Sequence, residues 1–358
     1  MTSNREIAAL RLHNQRITNP QPGSAGETVA WLCAVQAQDY LGSTWSLGLR
    51  LQGATDSDIE QSFNTGAILR THLLRPTWHF VTPADIGWLL LLTAPRVNAA
   101  NAHMYRQLGL DERVFERSNG ALRDALGGGR QHTRDELRDL LQAKGIDTSG
   151  TVRMTYIMMR AELDGVVCSG GRRGKQFTYA LLSERAPRPV SLDRDQALSE
   201  LAARYFRSRG PATVHDFAKW SGLTVADARK GLDSVKRELQ QQDINDQSYW
   251  FPLAMVPAGN EPVAQLLSIY DEYVSSYKDR SAMGSAEHGA RLQAMGNALQ
   301  YIVVVDGQIV GTWSRSVKKG LFQVATNLFM KLTRSQSHAL RAAADRYGQF
   351  LQLPVTLE

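Results

Sequence analysis

Three times along the chain, predicted helices are followed by a predicted β-hairpin, and this repeat constrains the fold more than any other feature. In the first unit, a capped helix over 55–66 precedes two alternating runs, at 67–74 and 77–81. The dipeptide Arg75-Pro76 separates these runs and predicts a turn. Helices followed by a hairpin are the pattern of a winged helix, in which the hairpin is the wing.

The second unit repeats this order with a more basic wing. A capped helix that ends at Gly145 and a helix over 152–163 precede strands at 166–169 and 176–182. The turn between the strands, 170–175, is rich in glycine and carries three cations that suit contact with phosphates: Arg172, Arg173 and Lys175. A solvated turn without a partner is the alternative.

The third unit follows a proline-containing linker and has the clearest helix starts. A helix from Asp193 to Arg209 is followed by capped helices over 214–220 and 225–239. A wing then turns at Asn245-Asp246-Gln247. The short turn between the two capped helices is typical of a helix-turn-helix.

The C-terminal part is richer in predicted strands. Asp306-Gly307 lies between two apolar runs and is a strong hairpin signal. The predicted elements are strands at 301–305, 308–314 and 320–332 and a helix over 335–351. The expected fold is therefore mainly α with β-hairpin wings, of the α+β class, with three tandem winged-helix units and a β-rich C-terminal domain. The expected divisions are 1–126, which includes a helical extension of the first unit, 130–186, 190–256 and 257–358.

A polar junction interrupts the apolar stretch from Trp31 to Arg50. This stretch predicts two short helices, and residues two apart point to nearly opposite sides of a helix. Gln36 and Gln38 therefore converge only where the backbone leaves the helix, and Asp39 is a good N-cap for the helix that follows. Capping and solvation are the ordinary role of glutamines at such a junction, and a functional site is the alternative.

Alternation along the first hairpin predicts one polar surface. It places Arg70 and His72 on one face of the first strand, and Thr77 and His79 on one face of the second. Four apolar side chains are expected to face the core: Leu69, Leu73, Trp78 and Phe80. The polar surface is either ordinary sheet polarity or the lining of a site beside the glutamines.

Charge favours an anionic partner, nucleic acid first, because the chain has a net charge of +6 and a pI near 9.3. The two cysteines, Cys33 and Cys168, lie in apolar stretches and suggest a reducing compartment rather than a disulfide framework. No Cys/His spacing suggests zinc, and the sequence has no phosphate-binding loop and no Gly-x-Ser-x-Gly elbow. No cofactor, no metal, no signal peptide and no membrane segment are expected, and the chain is expected in the cytoplasm.

Several segments resemble the AlkZ/YcaQ-type DNA glycosylases, a winged-helix family. Gln36 and Gln38 match the two positions of the Gln-x-Gln, or Gln-x-Asp, motif that this family carries near the N-terminus. The resemblance extends to three runs: Arg-Thr-His-Leu-Leu-Arg-Pro-Thr-Trp-His-Phe-Val at 70–81, Tyr-Asp-Glu-Tyr…Lys-Asp-Arg-Ser at 270–281, and Val-Asp-Gly-Gln-Ile-Val-Gly-Thr-Trp at 305–313. It therefore spans nearly the whole chain at scattered motifs.

The resemblance implies a concave, C-shaped surface for duplex DNA, with the two glutamines near its centre. It also implies a monofunctional glycosylase for cationic purines alkylated at N7 or N3, including bulky adducts and interstrand cross-links. The protein is expected to act as a monomer near the nucleoid. A glutamine amide does not titrate near neutral pH and cannot act as a general base. Its expected roles are to position water, assigned to Gln38, to contact the sugar or the water, assigned to Gln36, and to stabilise the oxocarbenium ion.

The remaining candidates are basic side chains and one acidic run. The expected DNA-binding or site-lining residues are Arg70, His72, Arg75, His79, Arg172, Arg173, Lys175, Arg315, Lys318 and Lys319. The run from Tyr270 to Arg280 forms a buried ion network, contacts DNA, or supplies a carboxylate of Asp271 or Glu272 to the site. The alternative function is a non-enzymatic winged-helix regulator that reads operator DNA.

Overall fold

The computed structural model describes residues 3–244, 246–253, 262–294, 301–318 and 321–358. The N-terminal part runs from helices into a hairpin and a long helix in the following order: α1 (Asn4–Asn14), α2 (Ala25–Leu32), β1 (Val35–Gln36), α3 (Tyr40–Gly48), α4 (Asp56–Thr65), β2 (Leu69–Leu73), β3 (Thr77–Val81) and α5 (Ile86–Gln107). Capping boxes at Ser3, Ser24 and Thr55 begin α1, α2 and α4. These boxes satisfy free N–H groups and so fix the helix starts.

The first hairpin lies where the alternation predicts it. β2 and β3 pair antiparallel, with Leu69 opposite Val81. β1 pairs with the other edge of β3, so that Gln36 lies opposite His79 and the sheet order is β1–β3–β2. The glutamine junction and the hairpin therefore belong to one sheet.

The second unit contains its own three-stranded sheet, of order β4–β6–β5. Its elements are α6 (Glu112–Leu126), β4 (His132–Thr133), α7 (Arg134–Ala143), α8 (Thr151–Leu163), β5 (Val167–Arg173), β6 (Gln176–Leu181) and α9 (Leu182–Arg185). The turn predicted over 170–175 is too long, because β5 continues through most of it with an irregularity between Ser169 and Arg172. The turn itself is Gly174-Lys175. A bulge at two glycines breaks the alternation from which strand ends are predicted.

The third unit and the C-terminal part follow. Their elements are α10 (Arg194–Arg209), α11 (Val214–Ser221), α12 (Val225–Val235), β7 (Leu239–Ile244), β8 (Gln247–Pro252), β9 (Ala264–Leu267), α13 (Glu272–Ser275), α14 (Ala286–Ala294), β10 (Ile302–Val305), β11 (Gln308–Lys318), β12 (Leu321–Leu328), α15 (Arg334–Leu351) and β13 (Val355–Leu357). The helix predicted over 225–239 ends early, because a 3₁₀ turn leads into β7. The strand predicted over 320–332 ends at Leu328. Asn245 and Gly320 lie outside the described residues.

The β-rich C-terminal part predicted from the sequence is confirmed. Its sheet has the order β13–β12–β11–β10–β9, and the hairpin at Asp306-Gly307 joins β10 to β11. The helix α15 packs on this sheet through Tyr347, whose ring contacts Trp313 and Phe322. The rings of Tyr347 and Phe350 also lie against Trp45 of α3. The C-terminal part is thus packed directly on the helix that follows the glutamines.

The buried side chains divide the chain in a way that the sequence does not predict. Leu122 and Leu126 of α6 share a core with Leu137 of α7 and Ile157 of α8. A larger core joins the N-terminal helices, the third unit and the C-terminal sheet. The helical extension that follows α5 therefore packs with the second unit, although the glycine run at 127–129 separates them along the chain.

Fully buried ion pairs connect the N-terminal part, the third unit and the loop around α13 to one another. The pairs are Arg11–Asp216, Arg50–Asp271 and Arg209–Glu272. The guanidinium of Arg50 binds Asp271 through two bonds of 2.9 Å. Breaking a buried pair leaves an uncompensated charge, so these pairs fix how the segments sit against one another. Of the alternatives for the acidic run, the buried ion network describes Asp271 and Glu272.

Candidate active site

The two glutamines flank the break between α2 and α3. α2 ends at Leu32, because Cys33 has a φ of 64° and does not continue the helix. Gln36 ends the short strand β1, and Asp39 caps α3 by accepting a backbone N–H. The break that the spacing of Gln36 and Gln38 requires is therefore confirmed.

The backbone between the glutamines is held by hydrogen bonds from three directions. The N–H of Gln36 donates to Oε1 of Glu272 at 2.8 Å. The N–H of Ala37 donates to the carbonyl of Trp78 at 2.8 Å. The carbonyl of Ala37 accepts from Nε of Arg70 at 3.0 Å. These contacts leave the segment little freedom, although it belongs to neither helix.

The glutamine side chains have fixed orientations. Oε1 of Gln36 accepts the backbone N–H of Gln38 at 2.9 Å, and Oε1 of Gln38 accepts the N–H of Trp78 at 3.3 Å. Because a backbone N–H is a donor only, each contact places the oxygen, and the amide nitrogen points away. Neither amide nitrogen has a partner among the residues that the structure describes. Gln36 is buried and Gln38 is exposed.

Glu272 is a buried carboxylate whose two oxygens have different tasks. Oε2 accepts from Arg209, Trp220 and Ser276, at 2.7–2.9 Å for the shortest contact of each, and Oε1 accepts from Gln36. Burial by itself would raise the pKa of Glu272, but the charge of Arg209 and these hydrogen bonds outweigh it and lower the pKa to about 2. Glu272 is therefore ionised near neutral pH, and both of its oxygens accept hydrogen bonds. It supports the site and does not accept a proton there.

The polar surface predicted for the first hairpin is wrong. Directly opposite residues of an antiparallel ladder share a face. Arg70 and His72 lie opposite Phe80 and Trp78, whereas His79 lies on the other face, opposite Gln36. All three polar side chains are also buried. The reason is that helices of the first and second units pack against the hairpin, which a pattern within one unit does not reveal.

Arg70 and His72 connect the first unit to the second. His72 pairs through Nδ1 with the carboxylate of Glu162 from α8. The guanidinium of Arg70 lies over the ring of Trp78, 4.3 Å from its centroid, and 4.8 Å from that of Phe177. These side chains support the segment around the glutamines through packing and through the hydrogen bond from Arg70 to the carbonyl of Ala37.

His79 is a neutral, buried histidine beside Gln36. Its Nδ1 lies 2.9 Å from the carbonyl of Thr77, which accepts only, so Nδ1 carries the proton. Burial, followed by the charge of Arg75, lowers the pKa of His79 to about 3. Its Nε2 is then a free acceptor, and Nη2 of Arg75 lies 3.5 Å away. His79 and Arg75 thus form a line of side chains that extends from Gln36 on one face of the sheet.

Comparison with known proteins identifies the family. The profile described as DNA glycosylase AlkZ-like matches residues 29–350. The chain belongs to the AlkZ-like DNA glycosylase family. The expectation of a DNA glycosylase is thereby confirmed, and it replaces the alternative of a non-enzymatic regulator.

A relative and a solved structure agree with this assignment. The chain is 25% identical over 329 residues to a Streptomyces sahachiroi protein named interstrand DNA cross-link repair glycosylase, covering 86% of this chain and 87% of the relative. The structure of Streptomyces sahachiroi DNA glycosylase AlkZ is similar to this chain with a TM-score of 0.81 at 23% identity, covering 100% of both chains. The structural likeness shows a shared fold.

In this glycosylase, two of the three cations of the second hairpin are engaged in ion pairs. Arg172 binds Glu60 of α4 at 2.8 Å and is mostly buried. Arg173 binds Glu136 at 2.6 Å but remains half exposed. Lys175, in the turn, is exposed. Lys175 and Arg173 therefore face solvent, whereas Arg172 holds the hairpin against the first unit.

The basic residues of β11 are placed differently from one another. Arg315 is half-buried and donates to the hydroxyls of Tyr301 and Tyr347. Tyr301 in turn lies 3.3 Å from Asp39, the cap of α3. Lys318 is the last residue of β11, and Lys319 lies outside the described residues. Arg315 thus connects the C-terminal sheet to the glutamine segment.

Sequence reasoning missed three residues that hold the site. Glu162 lies within the apolar stripe of α8, where a buried acid implies a partner. Arg209 and Trp220 both donate to Glu272. Only Glu162 carries a signal in the sequence, since an acid among core positions of an amphipathic helix departs from the pattern.

The described part of the chain contains no group of three or more His, Cys, Asp and Glu side chains that would hold a metal ion. Within the same residues, no helix combines the length and the apolar character needed to cross a bilayer. Arg70, His72, Arg75 and His79 lie within the hairpin next to the glutamines, whereas Arg172, Arg173 and Lys175 belong to the next unit.

We predict that His79 makes the folded state sensitive to acid. Folded His79 stays neutral down to its pKa of about 3, whereas an unfolded histidine takes up a proton below about pH 6.5. The contribution of neutral His79 to the free energy of unfolding is complete above pH 6.5. It is lost as the pH falls towards 3, by at most about 1.4 kcal/mol per pH unit. Urea unfolding between pH 5.5 and 7.5 should show a smaller pH dependence for His79→Gln than for the wild type. The exposed His338→Gln serves as the control, and equal slopes for all three proteins would contradict the assignment.

Proposed function

We propose that this glycosylase hydrolyses the N-glycosidic bond of cationic alkylated purines in duplex DNA, with Gln36 and Gln38 at the reacting sugar. The observation that carries the proposal is the fixed pair of amides, whose nitrogens are left for a ligand while their oxygens accept backbone N–H groups. The substrates are purines alkylated at N7 or N3. Bulky adducts and interstrand cross-links are included, since the Streptomyces sahachiroi relative is named for cross-link repair.

The two glutamines are suited to different tasks. Gln38 is exposed, and its amide is free to hold a water molecule: Nε2 donates to the water, and the second lone pair of Oε1 accepts from it. Gln36 is buried and rigid, so its role is to contact the sugar or the water from a fixed position. A carbonyl dipole near C1′ also stabilises the oxocarbenium ion that develops as the base leaves.

No general base is assigned, and the charges nearby explain this choice. Glu272 has both oxygens engaged and a pKa of about 2. Asp39 accepts the N–H of Gly42 as the cap of α3. His79 is buried with a pKa of about 3. Hydrolysis of a cationic purine needs no proton from the protein, because the alkylated base departs neutral, and the proton lost by the attacking water passes to solvent.

The DNA surface is proposed to be a concave face formed by three winged-helix units. Net positive charge supports the binding of duplex DNA through its phosphates. Lys175 and Arg173 are the solvent-facing cations of the second hairpin, and Lys318 and Lys319 remain candidates. The enzyme is proposed to act as a monomer in the cytoplasm, at the nucleoid.

Removal of either glutamine amide should reduce base release while DNA binding is kept. Gln36→Ala and Gln38→Ala should each lower single-turnover release of N7-methylguanine by about 10²-fold or more, because each removes a positioned polar group from the transition state. The affinity for duplex DNA should change by less than about threefold, since phosphates supply most of it. Alkali-labile abasic sites measure the first quantity and fluorescence anisotropy the second. Gln349→Ala, an exposed glutamine of α15, is the matched control, and full activity of the Gln36/Gln38 double variant would remove both from the mechanism.

The charge of the lesion should decide which bases are excised. A site without a general base lacks an effect worth roughly 10²–10⁴-fold, so the substrate must supply that driving force. N7- and N3-alkylated purines should therefore be released, whereas uracil, hypoxanthine and 8-oxoguanine should not. No lyase step is expected, because no amine nucleophile is assigned. Efficient release of uracil or hypoxanthine, or a protein–DNA adduct trapped by borohydride, would contradict the mechanism.

A further inference from the structure

Three half-buried cations meet beside the short helix α13 without an acidic partner. Nζ of Lys219, on α11, donates to the carbonyls of Ser275 at 3.4 Å and Tyr277 at 2.9 Å. Nε of Arg280 donates to the carbonyl of Val274 at 3.3 Å. Both side chains are therefore anchored on the same turn of backbone. Neither forms an ion pair within 4.0 Å in the part of the chain that the structure describes.

Arg75 approaches the same place from the first hairpin. Its Cγ lies 3.5 Å from the position of a Cβ on Gly222, which ends α11 close to Lys219. Burial, and then the charges of Arg280 and Arg75, lower the pKa of Lys219 to about 8, which agrees with three neighbouring cations. The cluster thus draws on the first hairpin, the third unit and the loop after α13.

The free N–H groups of Arg75 distinguish it from an ordinary surface arginine. Its Nε is buried and has no hydrogen-bond partner in the described structure. Its Nη2 has one contact, at 3.5 Å, with the neutral ring of His79. A buried donor without a partner is destabilising, and an arginine offers its Nε and Nη groups side by side to an oxyanion.

The acids close to the cluster do not balance its charge. Asp216 is paired with Arg11, and Glu272 is paired with Arg209. Asp216 and Glu272 attract these cations, and Asp279 adjoins Arg280, but none of the three acids forms an ion pair with Lys219, Arg280 or Arg75 among the described residues. The carbonyls at the end of α13 explain why Lys219 and Arg280 are stable there. They do not explain Arg75, which binds none of them.

We infer that Arg75, Lys219 and Arg280 form a binding site for one phosphate of the DNA backbone. The inference rests on the proposed function, in that DNA is the ligand. The side chains of Gln36 and His79 share one face of the sheet, and Arg75 contacts His79. The phosphate held there is therefore next to the sugar that Gln36 faces. It fixes the position of the damaged nucleotide and places a negative charge near the oxocarbenium ion.

A duplex with single methylphosphonate substitutions tests the site directly. Each substitution removes the charge of one phosphate, and binding is measured for the wild type and for Arg75→Met. At one position close to the lesion, the phosphonate should weaken wild-type binding by about 10-fold or more. At that position it should have little further effect on Arg75→Met, because the partner is already absent. Lys219→Met and Arg280→Met should each lose the effect of the phosphonate at the same phosphate position.

The salt dependence gives a second, independent prediction. Neutralising all three cations together should reduce the log–log slope of affinity against salt by about 0.9, because they bind one phosphate. Three separate contacts would reduce it by about 2.7. Arg341→Met, which removes an exposed charge from α15, is the control. Its effect on the binding free energy should add to that of every phosphonate. Arg75→Met should melt at or above the wild-type temperature, which shows that it folds.

The outcomes separate this site from the proposed function. Absence of coupling between Arg75→Met and every phosphonate position, or a slope reduced by about 2.7, would overturn the site. Coupling without base release from N7-methylguanine duplex would support the site while contradicting the glycosylase mechanism. Base release by the wild type without any coupling would support the glycosylase mechanism while overturning the phosphate site.

Discussion

The bond from the backbone N–H of Gln36 to the buried carboxylate of Glu272 is the contact on which the site depends. Glu272 lies 236 residues along the chain from Gln36 and is held by Arg209 of the third unit. One carboxylate thus connects the N-terminal strand β1, the third unit and the segment between β9 and β10 of the C-terminal sheet. Because Glu272 is fully buried, loss of Arg209 would leave a charge without compensation, and the glutamine segment would lose its anchor. The same contact explains why this acid is not free to act in proton transfer.

Rigidity has a particular value for a site made of amides. A glutamine cannot compensate for poor placement by changing its protonation state, so its contribution depends on geometry. Here the geometry is set by the neighbouring strands β2 and β3 of the same sheet. Arg70 holds the backbone at Ala37, and Trp78 orients the amide of Gln38. The amide nitrogens, which have no partner among the described residues, are then the groups left for a ligand.

The sequence predicts the elements well and their mutual packing poorly. The first hairpin, the break at the glutamines and the hairpin at Asp306-Gly307 follow from alternation, capping and turn residues, which are local. The predicted faces of the first hairpin are wrong because the second unit packs on it: Glu162 of α8 pairs with His72, and Phe177 of β6 lies against Arg70. A neighbouring unit leaves no trace in the alternation of two strands. The roles of Glu272 and Arg209 also depend on contacts between distant segments. The glutamines were identified through a family resemblance, since residue type and spacing left capping as the ordinary explanation.

Base release is proposed to proceed without a titrating group of the protein, and a pH–rate profile tests this most directly. Single-turnover release from N7-methylguanine duplex should be measured between pH 5.5 and 7, below the pKa of about 8 of Lys219, and divided by the non-enzymatic rate in the same buffer. With Glu272 ionised down to a pKa of about 2 and His79 neutral down to about 3, this ratio should be nearly constant. A bell-shaped or sigmoidal ratio that changes by tenfold or more would reveal a general acid or base, and would contradict the central role of the paired amides.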